Sequence, residues 1–160
     1  MIRAITFKDI AAVQQIAKIS WNDTYKDIIP DDIQQLFLDK AYSNTMLAKR
    51  MEKTIFLLAE YENEPVGFAN FTYVDEDGDA ELTAIYVLPD FQKIGLGKKL
   101  LVAGLNEMPK GRQLFVYVES ENNGARIFYE RFGFECLEEF DEYFEGHPLS
   151  TAKYVYLLNN

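Results

Sequence analysis

The chain has 160 residues, 48% hydrophobic and 26% charged, the balance of one globular domain (residues 1–160) and not of a disordered tail. Lysines and arginines total 16 against 26 acids, a formal net charge of −10, which argues against nucleic-acid binding and favours a cationic partner. One cysteine and one histidine exclude an internal disulfide and the usual zinc cluster. Ile2–Ile5 reads as a short strand. Thr6 and Asp9 then form a capping-box start to a helix with Ile10, Val13 and Ala17 at helical spacing. Pro30-Asp31-Asp32 opens a second helix, with Ile33, Leu36 and Phe37 as its expected buried stripe, and Asn44–Met51 a third.

The middle of the chain predicts an antiparallel meander. Its strands are Thr54–Glu60, Val66–Val74 and Ala80–Val87, joined by turn chemistry at Glu62–Pro65 and Asp75–Asp79. After Pro89 and a Gly95–Gly97 loop, a helix is expected to run to about Met108. A buried strand at Leu114–Val118, a helix at Ala125–Phe132 closed by Gly133, and strands at Phe134–Leu137 and Tyr154–Leu158 complete the reading. The sum is an α/β fold, a single mixed, mostly antiparallel sheet flanked by helices. No apolar run reaches bilayer length, and the opening MIRAITFKDI lacks the apolar core of a signal peptide, so a cytoplasmic setting is expected.

One stretch carries most of the chemistry. A strand ends at Val87, Pro89 breaks its ladder, and Gln92-Lys93-Ile94-Gly95-Leu96-Gly97-Lys98 opens a helix. Glycines let the backbone turn tightly and approach a ligand, and free N–H groups at a helix start face an anion. No lysine or arginine occurs between Lys53 and Lys93, so positive charge returns where a phosphate would sit. Leu100 stands where a dinucleotide fold needs its third glycine. Gln92 and Lys99 break the Walker pattern. A plain glycine turn before a helix is the competing reading.

Gln92–Gly97 resembles the Gln/Arg-x-x-Gly-x-Gly/Ala acetyl-CoA loop of the GNAT N-acetyltransferase superfamily. Downstream, Asn122-Asn-Gly-Ala-Arg-Ile-Phe-Tyr-Glu-Arg-Phe-Gly-Phe134 resembles that family's Asn-x-x-Ala-x-x-Phe-Tyr-x-x-x-Gly-Phe segment. The resemblance implies the GNAT fold, acetyl-CoA as cosubstrate without a metal, and direct attack by a small-molecule amine on the thioester. It implies that pantetheine lies in a wedge between strands splayed at a bulge, pairing with Ile85, Tyr86 and Val87. Gln92, Lys93, Ile94, Gly95, Leu96, Gly97 and Lys98 would hold the pyrophosphate, mainly through backbone N–H groups, and the Val87 N–H would polarise the thioester carbonyl. Asn122 would bond the cofactor or cap a helix, or do both. Tyr129 would protonate the leaving thiolate, its alternative being an aromatic packed on the core.

The base is open between Glu81, bulk solvent, and a Glu81 that only solvates a hairpin. Strand alternation places Glu81, Thr83 and Ile85 on one face. Asp75-x-Asp77-x-Asp79 lacks the glycine and bidentate glutamate of a calcium loop and reads as a hairpin tip. His147 reads as a packed or solvated loop residue in preference to a proton relay, and Cys136 as a small buried hydrophobe. The acceptor is expected between Trp21–Pro30 and the loop Phe140–Ser150. Six acids and no lysine or arginine lie between Phe132 and Ala152. Together with the Trp21–Tyr25 segment, which is similar to that of bacterial polyamine acetyltransferases, this favours a polyamine. Other amine acceptors and a non-catalytic acyl-CoA-binding module are the alternatives. Lys153–Leu158 is a candidate edge for a homodimer.

Overall fold

A computed structural model describes residues 1–158. The elements run β1 (Ile2–Ala4), α1 (Ile10–Tyr25), α2 (Asp31–Ala41), α3 (Asn44–Lys53), β2 (Ile55–Tyr61), β3 (Glu64–Phe71) and β4 (Asp79–Val87). They continue with α4 (Leu96–Asn106), β5 (Gln113–Glu119), α5 (Asn123–Phe132), β6 (Glu135–Phe144) and β7 (His147–Leu157). The seven strands form one sheet in the order β1-β2-β3-β4-β5-β7-β6, with β4 and β5 parallel and every other pair antiparallel. The expected capping box starts the first helical turn, where the Thr6 N–H donates to Asp9 Oδ2 at 2.8 Å.

Strand alternation sorts the apolar residues into two cores. On β2, Ile55, Leu57 and Ala59 pack with Leu100 and Leu101 of α4 and Tyr129 of α5. Phe56 and Leu58 turn the other way, to Val13, Ile16 and Trp21 of α1, Leu38 of α2 and Leu47 of α3. Helices α1–α3 therefore cover one face, and α4 and α5 the other. On α2 the buried positions are Gln34 and Leu38, flanked by Ile33 and Phe37; Leu36, expected in the stripe, lies off that face and is exposed.

The C-terminal third departs most from expectation. Phe134–Leu137 and Tyr154–Leu158 are fragments of one long antiparallel hairpin, and the predicted loop Phe140–Ser150 is mostly strand. Glu145 and Gly146 turn it with φ of 48° and 79°, the paired positive values of a type I′ turn. His147 begins β7 and is not in a loop. Its Nε2 lies 3.1 Å from the Ile28 carbonyl. Cys136 is exposed, because it lies in the solvent-facing first half of β6, an edge strand. β7 is paired by β5 on one side and, as far as Val155, by β6 on the other, so of the segment Lys153–Leu158 only the end beyond Val155 has a side that no strand pairs.

Candidate active site

The site forms where β4 and β5 part. They pair at Asp79↔Gln113, Ala80↔Leu114 and Glu81↔Phe115 and then diverge. Just beyond, the register with β3 shifts at Thr83, between Asn70↔Ala84 and Phe71↔Leu82. This is a β-bulge, and the Thr83 hydroxyl pins it to the Asn70 carbonyl at 2.9 Å. The bulge also overturns the expected alternation. Ala80 and Leu82 face the α4 side, yet beyond the bulge it is Ile85 and Val87 that pack there, while Ala84 and Tyr86 face α1. Glu81 thus shares its face with Tyr86, not with Ile85.

Backbone direction past the bulge follows from one bond. The Leu88 N–H donates to Val66 of β3 at 2.8 Å, so the alternate residues Ile85 and Val87 direct their N–H and C=O groups away from β3, into the gap. Tyr86 is matched to Phe68 of β3, which leaves its side chain, not its backbone, for the site. Gln92 closes the gap's end, its Nε2 donating to the Val87 carbonyl at 3.1 Å. The Val87 N–H keeps its freedom.

The predicted anion loop turns sharply into α4. Lys93 and Gly95 take φ of 69° and 85°, and Gly95 caps α4. A side chain on Gly95 would meet nothing within 4 Å, so this glycine is demanded by its dihedral angle alone. Gly97 is different: a Cβ there would lie 3.3 Å from the Phe128 ring. Lys93, Ile94 and Lys98 are exposed, whereas the Leu96 side chain is buried and leaves only its backbone. The N–H groups of Leu96, Gly97 and Lys98 lie in the first turn and have no intrahelical acceptor. A loop with these open donors fits a pyrophosphate, and the gap with its unpaired Val87 N–H fits an extended thioester arm. Asn122 caps α5, its Oδ1 accepting from the Ala125 N–H at 3.2 Å, and it also faces the Tyr25 hydroxyl.

Tyr129 connects the two faces. Its ring belongs to the α4–α5 core, centred 5.3 Å from Phe128 and Phe134. Its phenol nevertheless senses Tyr25 of α1, a reach that the open gap permits. Burial pushes this phenol well above its usual range, so it stays protonated, and its hydroxyl makes no hydrogen bond to another described residue. On the α1 side, burial raises Tyr86 strongly and pushes Tyr25 up to about 12. The Trp21 indole N–H is buried and has no hydrogen-bond partner, with the Tyr86 phenol close by. Trp21 stacks between Phe37 and Phe144, at 4.6 and 5.7 Å, which seats the tip of the β6–β7 hairpin on α1 and α2. Lys40 Nζ to Glu145 at 3.1 Å reinforces that seat.

Two carboxylates face the α1 side. Glu81 is half-buried; burial raises its pKa, and the Lys153 ammonium partly offsets the rise. Glu119, which sequence reasoning missed, ends β5 on the face shared by Phe115 and Tyr117. The alternation Val116-in, Tyr117-out, Val118-in was its signal, since it turns Glu119 away from the α4–α5 core.

The acetyltransferase (GNAT) family model matches residues 11–134. An uncharacterized N-acetyltransferase of Bacillus subtilis, YuaI, is 29% identical over 143 residues, 86% of this chain and 82% of its own. A spermidine N(1)-acetyltransferase of Thermoplasma acidophilum is 26% identical over 148 residues, 88% of this chain and 90% of its own. Among solved structures, the PaiA N-acetyltransferase of Thermoplasma acidophilum in complex with coenzyme A superposes with a TM-score of 0.83 at 24% identity, covering 95% of this chain and 96% of that one. The chain belongs to the acetyltransferase (GNAT) family. Its splayed sheet is the GNAT fold that the two motifs implied.

Proposed function

We propose that this GNAT acetyltransferase moves an acetyl group from acetyl-CoA directly to a primary amine of a small molecule, with polyamines the favoured acceptors. The observation that carries the reading is the gap between β4 and β5, whose free Val87 N–H and open α4 turn lie on one continuous path. In this reading Lys93–Lys98 bind the pyrophosphate, Ile85 and Val87 hold the pantetheine arm as an added strand, and Asn122 borders it. The Val87 N–H stabilises negative charge as it develops on the carbonyl oxygen. Tyr129, neutral and without a competing partner, donates its proton to the departing sulfur. Glu81 accepts the proton that the ammonium must lose, directly or through water.

Support for a polyamine is chemical. Glu135, Glu138, Glu139, Asp141, Glu142 and Glu145 line one hairpin seated beside the aromatic wall of α1, and both features attract an extended cation. The spermidine acetyltransferase relative points the same way. A cytoplasmic setting, where acetyl-CoA is made and a lone cysteine stays reduced, completes the proposal. The test is thiol release from acetyl-CoA with spermidine, spermine, amino acids, aminoglycosides and short peptides, with mass spectra of the products. Acetylated spermidine supports the whole reading. Turnover with another amine keeps the mechanism and discards the polyamine. Binding of acetyl-CoA with no turnover across the panel favours an acyl-CoA-binding module.

A further inference from the structure

Glu119 is 8% exposed and lacks a counter-ion. The four ion pairs of the described residues are Arg3–Asp9, Arg3–Glu60, Lys40–Glu145 and Arg126–Glu139. The Glu119 carboxylate has one donor, the Glu121 N–H, which approaches its two oxygens at 3.0 and 2.7 Å. Arg126 is close enough to be felt. It makes no ion pair with Glu119, however: its Nε donates to the Tyr154 hydroxyl at 2.9 Å, and its Nη1 to the Ser120 carbonyl at 3.0 Å and to Glu139 at 2.9 Å. A carboxylate withdrawn from water without a counter-ion is costly to keep charged, and a cation bound beside it would remove that cost. The surroundings agree. Tyr25 senses the charge of Glu119, and Tyr25 in turn faces Tyr86 of β4 and Asn122 of α5. The register agrees: the last β4–β5 pair is Glu81↔Phe115, so Glu119 on β5 and Val87 on β4 both lie on the stretch where the two strands have parted.

We infer that the Glu119 carboxylate is the counter-ion that receives the ammonium group of the acceptor amine, so that this buried acid, and not the acidic hairpin at large, selects and orients the substrate. The inference rests on the acetyltransferase reading and adds the residue that gives it an acceptor class: amines that arrive as cations. Glu81 is only half-buried, and in the same reading it is the group that takes the proton. The hairpin acids Glu138 and Asp141 are exposed and act only through screened, long-range attraction.

The experiment compares Glu119→Gln with Glu138→Gln, each of which removes one negative charge. Spermidine is the probe in two readouts, steady-state acetylation and titration of the 13C-carboxyl NMR signal of Glu119. We expect Glu119→Gln to raise the KM for spermidine about ten- to hundredfold while the acetyl-CoA Kd and Tm hold, with Glu138→Gln close to wild type. Spermidine should also move the Glu119 carboxyl signal in the wild type. Turnover with an unchanged KM in Glu119→Gln, or an unmoved signal during turnover, overturns the inference. A signal that moves with no acetylated product from wild type keeps the cation site at Glu119 and discards spermidine as the acceptor. Equal KM increases in both variants assign the effect to net charge and also overturn it.

Discussion

The two sides of the β4–β5 gap, the proposed site, offer a ligand different things. On the α4 side the site is made of backbone: open N–H groups in the first turn of α4, a glycine cap at positive φ, and a strand whose Ile85 and Val87 face outward from the ladder. On the α1 side it is made of side chains, with Trp21, Tyr25 and Tyr86 as walls and Glu81 and Glu119 as charges. Backbone recognition asks little of sequence beyond glycine placement. Side-chain recognition is where one member of a family departs from another.

The largest effect expected is from Tyr129→Phe, which spans the two sides. Its hydroxyl bonds to no other described residue, so Tm and the acetyl-CoA Kd should hold while kcat falls about 100-fold. An unchanged kcat would reduce Tyr129 to packing. Next, Gly97→Val thrusts a branched side chain toward Phe128, whose ring lies 3.3 Å from the new Cβ, and displaces the first turn of α4. Calorimetry should find acetyl-CoA affinity weakened about tenfold or more, with the acceptor KM little altered. Failure on the acceptor side instead would dissolve the division of labour.

A charge pair remote from the gap supplies a smaller effect and a control. Arg3 binds both Asp9 oxygens, at 2.8 and 2.9 Å, and holds the carboxyl at about 2 against an ordinary 3.8. A carboxyl depressed in this way stabilises the fold fully above pH 4 and loses that contribution as the pH falls through 2. Arg3→Met should therefore cost about 2 kcal/mol at neutral pH and nothing at the acid extreme, read by denaturant melts, without altering kcat. The smallest effect sharpens the α1 side. Lys153→Met removes the charge that offsets the burial of Glu81, so the Glu81 pKa rises further. If Glu81 is the base, the acid limb of the kcat/KM profile shifts to higher pH. A fixed limb leaves the proton to solvent.

How much of this was legible in the sequence divides along the same line. Gly95, Gly97, Pro89 and the strand before them announce a helix start with free donors, because glycine and proline act through local dihedral angles. The acceptor wall resisted because its causes are distant. β6 lies at the sheet's edge with both faces largely wet, so Glu135–Phe144 shows none of the apolar alternation that reveals a strand. Its turn, Glu145-Gly146, carried the one local signal, a residue-glycine pair between aromatics and β-formers. The Thr83 bulge left no trace in the pattern, and a single inserted residue was enough to move Ile85 to the opposite face from Glu81. Glu119 stood in plain view as an acid after a strand, but its burial depends on α1 packing across from it.

The short contact between β4 and β5 has a mechanical meaning. Four strands lie on one side of it and three on the other, joined directly by only three residue pairs. The sheet is thus two plates on a narrow hinge, and tilting one against the other breaks few ladder bonds. Whatever lies in the gap acts as a splint. In the proposed reading it bonds to the outward-facing backbone of Ile85 and Val87 and props the parted strands, so that the joint is stiffer with the gap filled than with it empty.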